Sequence, residues 1–267
     1  MRAGFAFTSL ANRLTSVAEL SEQDLELLTA MPATIRHLKP HETVLHQNED
    51  SDECCVVLQG FLCWRQGDRN DALITSIHIP GDVPDLHTIL APCRQATLNS
   101  LGPAVVALVP HEFFRSVAAQ SRQMAHALAM LALADVATLR NWVVNLGARD
   151  SLTRVTHLLC EIATRLQAVG LARDYRFPSP FTQSDLAAAC GISAVHANRI
   201  IQDLRHSSCL QWHAKTITIT NWNALVRVSG FTPDYLHLRR EPQMQCAADA
   251  LAPCLTDRGD RIATPLS

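Results

Sequence analysis

Thr182-Gln183-Ser184-Asp185-Leu186-Ala187-Ala188-Ala189-Cys190-Gly191-Ile192-Ser193-Ala194-Val195-His196-Ala197-Asn198-Arg199-Ile200-Ile201-Gln202-Asp203-Leu204-Arg205 is the stretch on which the reading of this chain turns. Thr182 with Asp185 three residues on is a capping box, which starts a helix by two reciprocal side-chain-to-backbone bonds. Leu186, Ala187 and Cys190 form the inward face of that helix. Gly191 then supplies the left-handed residue a tight turn needs. Ile192 plugs the corner, and Ser193 can cap a second helix with Ala197, Ile200, Ile201 and Leu204 inward. The small Ala187 suits the point where two crossing helices approach closest. The outward face of the second helix carries Ala194, Val195, His196, Asn198, Arg199, Gln202 and Arg205. Two helices about such a turn make a helix-turn-helix, whose second helix can enter the major groove of DNA. Asn and Gln can pair with adenine edges, and Arg with guanine or phosphate.

The flanks fit this reading. Downstream, Gln211-Trp212-His213 and Thr216-Ile217-Thr218-Ile219 flank Ala214-Lys215. That is a small hairpin, a wing, with Lys215 near its tip for phosphate. Upstream, Phe177-Pro178-Ser179-Pro180 is a breaker. A helix is expected over about 151–168, with Leu152, Val155, Leu158, Leu159, Ile162, Ala163 and Leu166 on its apolar face and Gly170 as its stop. From about Pro110 to Leu146 the pattern is helical again. Met124, Leu128, Leu131, Asp135, Leu139, Trp142 and Leu146 recur at spacings of four, three, four, four, three and four. This heptad-like stripe predicts a helix paired with its copy in a second chain, and Asp135 as the polar residue that fixes register.

From Ile35 to Val109, short runs rich in Val, Ile, Leu and Thr alternate with turn clusters such as Asn48-Glu49-Asp50-Ser51-Asp52 and Pro80-Gly81-Asp82. Many short strands with frequent turns predict an antiparallel sandwich or barrel. In Cys54-Cys55, strand alternation points one thiol to the core and the other to the surface. Residues 20–30 predict a short helix capped by Ser21. The expected class is therefore α+β: an N-terminal antiparallel, jelly-roll-like β-roll with a short helix (1–110), a long dimerisation helix (111–147), a winged helix-turn-helix (148–238) and a loosely ordered tail (239–267).

Composition narrows the function. At 48% hydrophobic and 18% charged residues, the chain is globular. No run of eighteen apolar residues occurs and no signal peptide is recognisable at the start, so neither membrane insertion nor export is expected. The nine Cys have no metal-type spacing, which points to a reducing cytoplasm with thiols as small apolar groups. Residues 149–240 hold 11 Lys and Arg against 6 Asp and Glu, whereas residues 1–148 hold 10 against 15. A basic C-terminal segment fits an anionic partner. No GxSxG, P-loop, HExxH or paired-carboxylate pattern occurs, so catalysis is not expected.

A β-rich N-terminal domain, a long helix and a winged helix-turn-helix resemble the Crp/Fnr family of transcription regulators. The resemblance covers about residues 20–236. It rests on Pro80-Gly81-Asp82, on Arg154-Val155-Thr156-His157-Leu158-Leu159-Cys160-Glu161, and on Thr182 to Arg199. It implies a homodimer on a palindromic DNA operator, a β-roll resembling cyclic-nucleotide-binding domains, and RNA polymerase as a further partner. Base reading falls near Val195, His196, Asn198 and Arg199, with Thr182, Gln183, Ser193, Gln202 and Lys215 completing the DNA-contacting set. The usual recognition helix of the family has Arg and Glu early on, where this chain has Ala194 and Val195, so a different operator is expected. Arg94 falls where cyclic-nucleotide binders hold the phosphate. Gln95 replaces the hydroxyl residue beside it, and Pro84 stands where a ribose-binding Glu belongs, so cyclic AMP is not the expected effector. Residues 1–30 hold no Cys for the iron–sulfur cluster of oxygen-sensing members. The alternative is a ligand- or protein-binding module whose helix-turn-helix serves protein contacts.

Overall fold

A computed structural model of the chain describes residues 4–67, 73–91, 96–179 and 181–239. Among the described residues, seven strands build the N-terminal roll: β1 (Thr34–Leu38), β2 (Thr43–Leu45), β3 (Glu53–Gln59), β4 (Leu62–Gln66), β5 (Leu73–His78), β6 (Thr97–Ser100) and β7 (Ala104–Pro110). They form two antiparallel sheets, in the orders β1-β7-β3 and β2-β6-β4-β5. The sheets close over Leu38, Val44, Cys55, Val57, Leu62, Leu98 and Val106. A single 3-10 turn, Leu86–Ile89, follows the Pro80-Gly81-Asp82 turn.

Both outer faces of the roll are also covered, which overturns the expected placement of Cys54-Cys55. The thiols do point to opposite faces of β3, yet both are fully buried. Cys55 lies inside the roll. Cys54 packs with Val56, Ala107 and Val109 against a helical layer. That layer includes a helix the sequence reading missed, α1 (Gly4–Val17), ahead of the expected short helix, α2 (Glu22–Thr29). Leu10 and Leu14 of α1 are fully buried. Ser21 caps α2 through a capping box with Asp24, and Asp24 also accepts from Ser121.

Ser121 divides the expected 110–146 helix in two. Its side chain caps α4 (Arg122–Ala148), directly after α3 (His111–Gln120). By length and composition α4 could cross a membrane. Here one side of it packs into the helical layer through Met124, Leu128 and Leu131, and Asp135 and Arg140 interrupt its middle. The stripe read from the sequence is therefore mostly an internal face. Met124, Leu128, Leu131 and Trp142 are buried in their own chain. Asp135 is half-buried and lines a cavity of about 270 Å³ with Arg13, Asp82, Leu131, Leu139 and Arg165. Of the stripe, Leu139 is exposed.

The C-terminal part comprises α5 (Ser151–Ala168), β8 (Arg176–Pro178), α6 (Gln183–Cys190), α7 (Ala194–His206), β9 (Leu210–His213), β10 (Thr216–Ile219) and α8 (Trp222–Ser229). The segment read as a breaker is thus partly strand: β8 pairs with β10 and makes the wing three-stranded. This part shares one apolar core with the outer face of the roll, where Phe61, Cys63, Ile74 and Ile77 meet Leu159, Ile162, Leu166 and Leu186. Of the tail expected over 239–267, Arg239 is described and the rest lies outside the described residues.

Buried charge stitches these parts together. Asp82 accepts from Arg13 Nε of α1 and from Arg165 Nη2 of α5, each at 2.7 Å. Arg165 Nη1 also donates to the carbonyl of Ile77 and to Glu161. Glu161, fully buried, accepts from Trp142 Nε1 and from the Tyr235 hydroxyl. Burial pushes the Glu161 carboxyl up from its ordinary value, against the pull of Arg165. Burial also opposes ionisation of Asp82, but Arg165 and Arg13 outweigh it and hold the carboxyl down at about 2. The turn needs Gly81, at φ +96°, because a Cβ there would lie 2.3 Å from the carbonyl oxygen of Ser9 in α1.

After α8 the chain folds back over α5. His157 stacks on Tyr235 and meets Phe231 edge-on. Burial, with a smaller contribution from Arg149, lowers the imidazole from 6.5 to about 3. Below about pH 6.5 the unfolded chain therefore binds a proton that the folded chain refuses. Stability should fall between about pH 6.5 and 3 on this account. Buried His78 is shifted the same way and should leave part of the slope. Urea unfolding across this range should show a shallower acid loss for His157→Phe than for the unaltered chain. Equal slopes would show that His157 does not carry the dependence.

Candidate nucleic-acid interface

The helix-turn-helix forms as its local chemistry dictates. Thr182 Oγ1 accepts from the amide of Asp185, and Asp185 accepts in return from the amide and hydroxyl of Thr182. Gly191 ends α6 in the left-handed region at φ 61°. Ser193 caps α7 by accepting from the amide of His196. Leu186, Ala187, Cys190, Ala197, Ile200, Ile201 and Leu204 are all buried, so the two helices meet through the expected faces. Arg154 of α5 reinforces the turn from behind by donating to the carbonyl of Cys190.

On the open side, Thr182 and Gln183 are exposed at the start of α6, and Ser193, Val195, His196 and Arg199 are exposed around the start of α7. Val195 is 82% exposed. Asn198 and Gln202 are half-buried on the same side. Gln183 Nε2 donates to Asn198 Oδ1 at 3.2 Å, a link between the two helices that the sequence did not announce. At the wing tip Ala214 takes a left-handed conformation, φ 50°, and Lys215 is exposed beside it. The structure thus brings Thr182, Gln183, Ser193, Val195, His196, Asn198, Arg199, Gln202 and Lys215 onto the helix-turn-helix and its wing. The exposed cations Arg199, Arg205 and Lys215 can meet phosphate or base acceptors.

In the roll, Asp85 does not cap the turn that follows it. It is fully buried and accepts from the amide of Cys55 at 2.8 Å. Arg94 and Gln95 lie outside the described residues. Among the described residues, no group of three His, Cys, Asp or Glu side chains is arranged to hold a metal ion.

These features define a winged-helix DNA-binding transcription regulator with an N-terminal sensor-like roll. Residues 153–228 match the Crp-like helix-turn-helix domain and residues 35–121 the cyclic nucleotide-binding domain, together well over half of the chain. The chain belongs to the Crp/Fnr family of transcription regulators. It is 18% identical to an anaerobic regulatory protein of Haemophilus influenzae, over 79% of this chain and 82% of that one. Its fold is similar to that of FixK2 from Bradyrhizobium japonicum, with a TM-score of 0.67 and 20% identity over 76% of this chain and 100% of the other. It is also similar to the c-di-GMP-responsive global regulator CLP of Xanthomonas campestris, with a TM-score of 0.57 and 14% identity over 74% and 99%.

Because Gly191 sets the angle at which α7 leaves α6, its backbone is a sensitive point. A Cβ there would only touch Leu146 Cδ2 at 3.4 Å, so the strain of Gly191→Ala is mainly conformational. The substitution should cost about 1–2 kcal/mol in urea unfolding. A smaller loss would show that the turn tolerates a side chain.

Proposed function

We propose that the chain acts as a homodimer on a palindromic operator, with α7 of each subunit in the major groove of one half-site. The observation that carries this is the second apolar row of α4. Ala129, Ala132, Val136, Leu139, Val143 and Leu146 recur at spacings of three, four, three, four and three. All but the half-buried Leu146 are exposed, Val143 by 72%. A strict heptad row left open on a long helix matches the seam of a two-stranded coiled coil. Leu133 and Val144, also exposed, widen it. The seam therefore sits beside the row read from sequence, and Leu139 and Leu146 belong to both. In this reading the protein works in the cytoplasm, with RNA polymerase as a further partner. Arg94 is not assigned an effector role.

Two experiments test the reading. Val136→Glu with Val143→Glu should weaken self-association by at least about 100-fold, near 3 kcal/mol, and weaken operator binding with it. Sedimentation velocity showing an unchanged dimer would place the interface elsewhere. Arg199→Ala should cost about 1–3 kcal/mol and relax preference at one base pair of each half-site. Lys215→Ala should weaken binding to all sequences alike and flatten the salt slope by about one unit per contact. Competition with every single-base operator variant at two salt concentrations separates these effects. Binding that ignores salt would favour the alternative, a helix-turn-helix that contacts protein.

A further inference from the structure

The sensor roll grips the helix-turn-helix at the end that faces DNA in the proposed function. Residues on β4 alternate between the inside of the roll (Leu62, Trp64) and the shared interdomain core (Cys63). The same alternation aims Arg65 at the DNA-binding part. Its Nη2 donates to Asp185 Oδ1 at 2.6 Å, across 120 positions of sequence. Asp185 is the acid of the α6 capping box, and its side chain is only 4% exposed. His41 of the roll lies on the same oxygen at 3.9 Å. The other carboxylate oxygen holds the amide and hydroxyl of Thr182.

We infer that Arg65 is a positioning residue for DNA reading: by pairing with Asp185 it fixes the orientation of the helix-turn-helix relative to the roll. The inference rests on the dimeric DNA-binding reading given above. A capping acid in an exposed helix is solvated and screened by water. This one is buried next to Thr182 and Gln183, where phosphates would approach. Unpaired, it would repel them and leave a desolvated charge at the interdomain contact. Paired with Arg65 it is neutral. A charge-assisted hydrogen bond is also directional, so it resists rotation of α6 over the apolar contact made by Ile74, Ile77 and Leu186. Recognition helices in a dimer must match two half-sites at a fixed separation. A docked helix-turn-helix presents α7 at one angle, and its exposed face shows that docking does not hide it.

The test uses the full-length protein and operators whose half-sites are moved together or apart by one and two base pairs. The unaltered chain should prefer one spacing. Arg65→Ala should lower affinity for that spacing about tenfold, the loss expected of one charged hydrogen bond. Affinity at the other spacings should change less, so the spacing profile flattens. Arg65→Lys should restore part of the preference. Asp185→Asn, which keeps an acceptor for Thr182, should make the Arg65→Ala change nearly silent. A spacing profile unaltered by Arg65→Ala, or a loss equal at every spacing, would overturn the inference. Hydrogen exchange without DNA gives an independent reading, since Arg65→Ala should speed exchange in β4 and the outer turn of α6 together. Unchanged exchange in both would also overturn it. If the unaltered chain bound DNA with no spacing preference, the dimeric reading itself would fail, and the exchange result would still judge the Arg65–Asp185 contact.

Discussion

The fold depends on one buried carboxylate. Asp82 is held between Arg13 of the N-terminal helix and Arg165 of the first helix of the DNA-binding part, and it braces its own turn by accepting from the amide of Ile79. A buried ion of this kind is tolerated only when its partners are close and its remaining lone pairs are used. Both conditions hold, and together they constrain three separate stretches of chain. α1 must lie close to the turn, which Gly81 permits by having no side chain. α5 must present Arg165 at the same point. The roll must close with β5 leading directly into it. Removing either arginine would leave the other to compensate alone, so the three elements are interdependent in a way that an apolar contact would not enforce.

From this junction the structure extends outward in layers. Helices cover one sheet, the two sheets enclose a narrow core, and the DNA-binding part covers the second sheet. Each layer boundary is apolar at its centre. The interdomain boundary carries ion pairs on either side, Asp82–Arg165 reaching from the DNA-binding part into the roll and Arg65–Asp185 running the opposite way. Glu161 extends the first pair to Trp142 on α4 and to Tyr235 beyond α8. The long helix, the Pro80–Asp82 turn and the end of the winged domain therefore meet in one hydrogen-bonded group. That group ties the Pro80–Asp82 turn to α5 and so to the base of the winged domain.

What the sequence disclosed followed from the range of the interactions. The helix-turn-helix was legible because its signals are local: a cap, a left-handed glycine and alternating faces, all within twenty-four residues. The roll was legible as a class, from strand length and turn chemistry. Its burial was not, because Cys54 looks like a surface residue until α1 and the 3-10 turn at Leu86–Ile89 are placed over its strand. α1 went unread although Phe7, Leu10, Leu14 and Val17 repeat at helical spacing, since no capping residue or charged first turn announces it. On α4, periodicity found apolar rows but could not decide which one faces the protein's own core. Two rows lie side by side, and only the packing of Met124, Leu128 and Leu131 into the chain assigns the other to the outside. The ion pairs were beyond reach, because Arg13 and Asp82 are 69 positions apart and Asp82 and Arg165 are 83 apart.

The buried thiols have a consequence for observing this molecule at work. The six described cysteines are all buried, and burial lifts Cys63, Cys160 and Cys190 to about 12, so few are thiolates at neutral pH. They do not share one shelter. Cys63 lies on the face of the roll that the DNA-binding part covers, whereas Cys160 sits inside that part against Ser229. An alkylating reagent reaches the first when the two parts separate and the second only when the winged domain itself opens. With Cys93, Cys246 and Cys254 replaced, the order in which these thiols are labelled becomes a clock that times domain separation apart from unfolding.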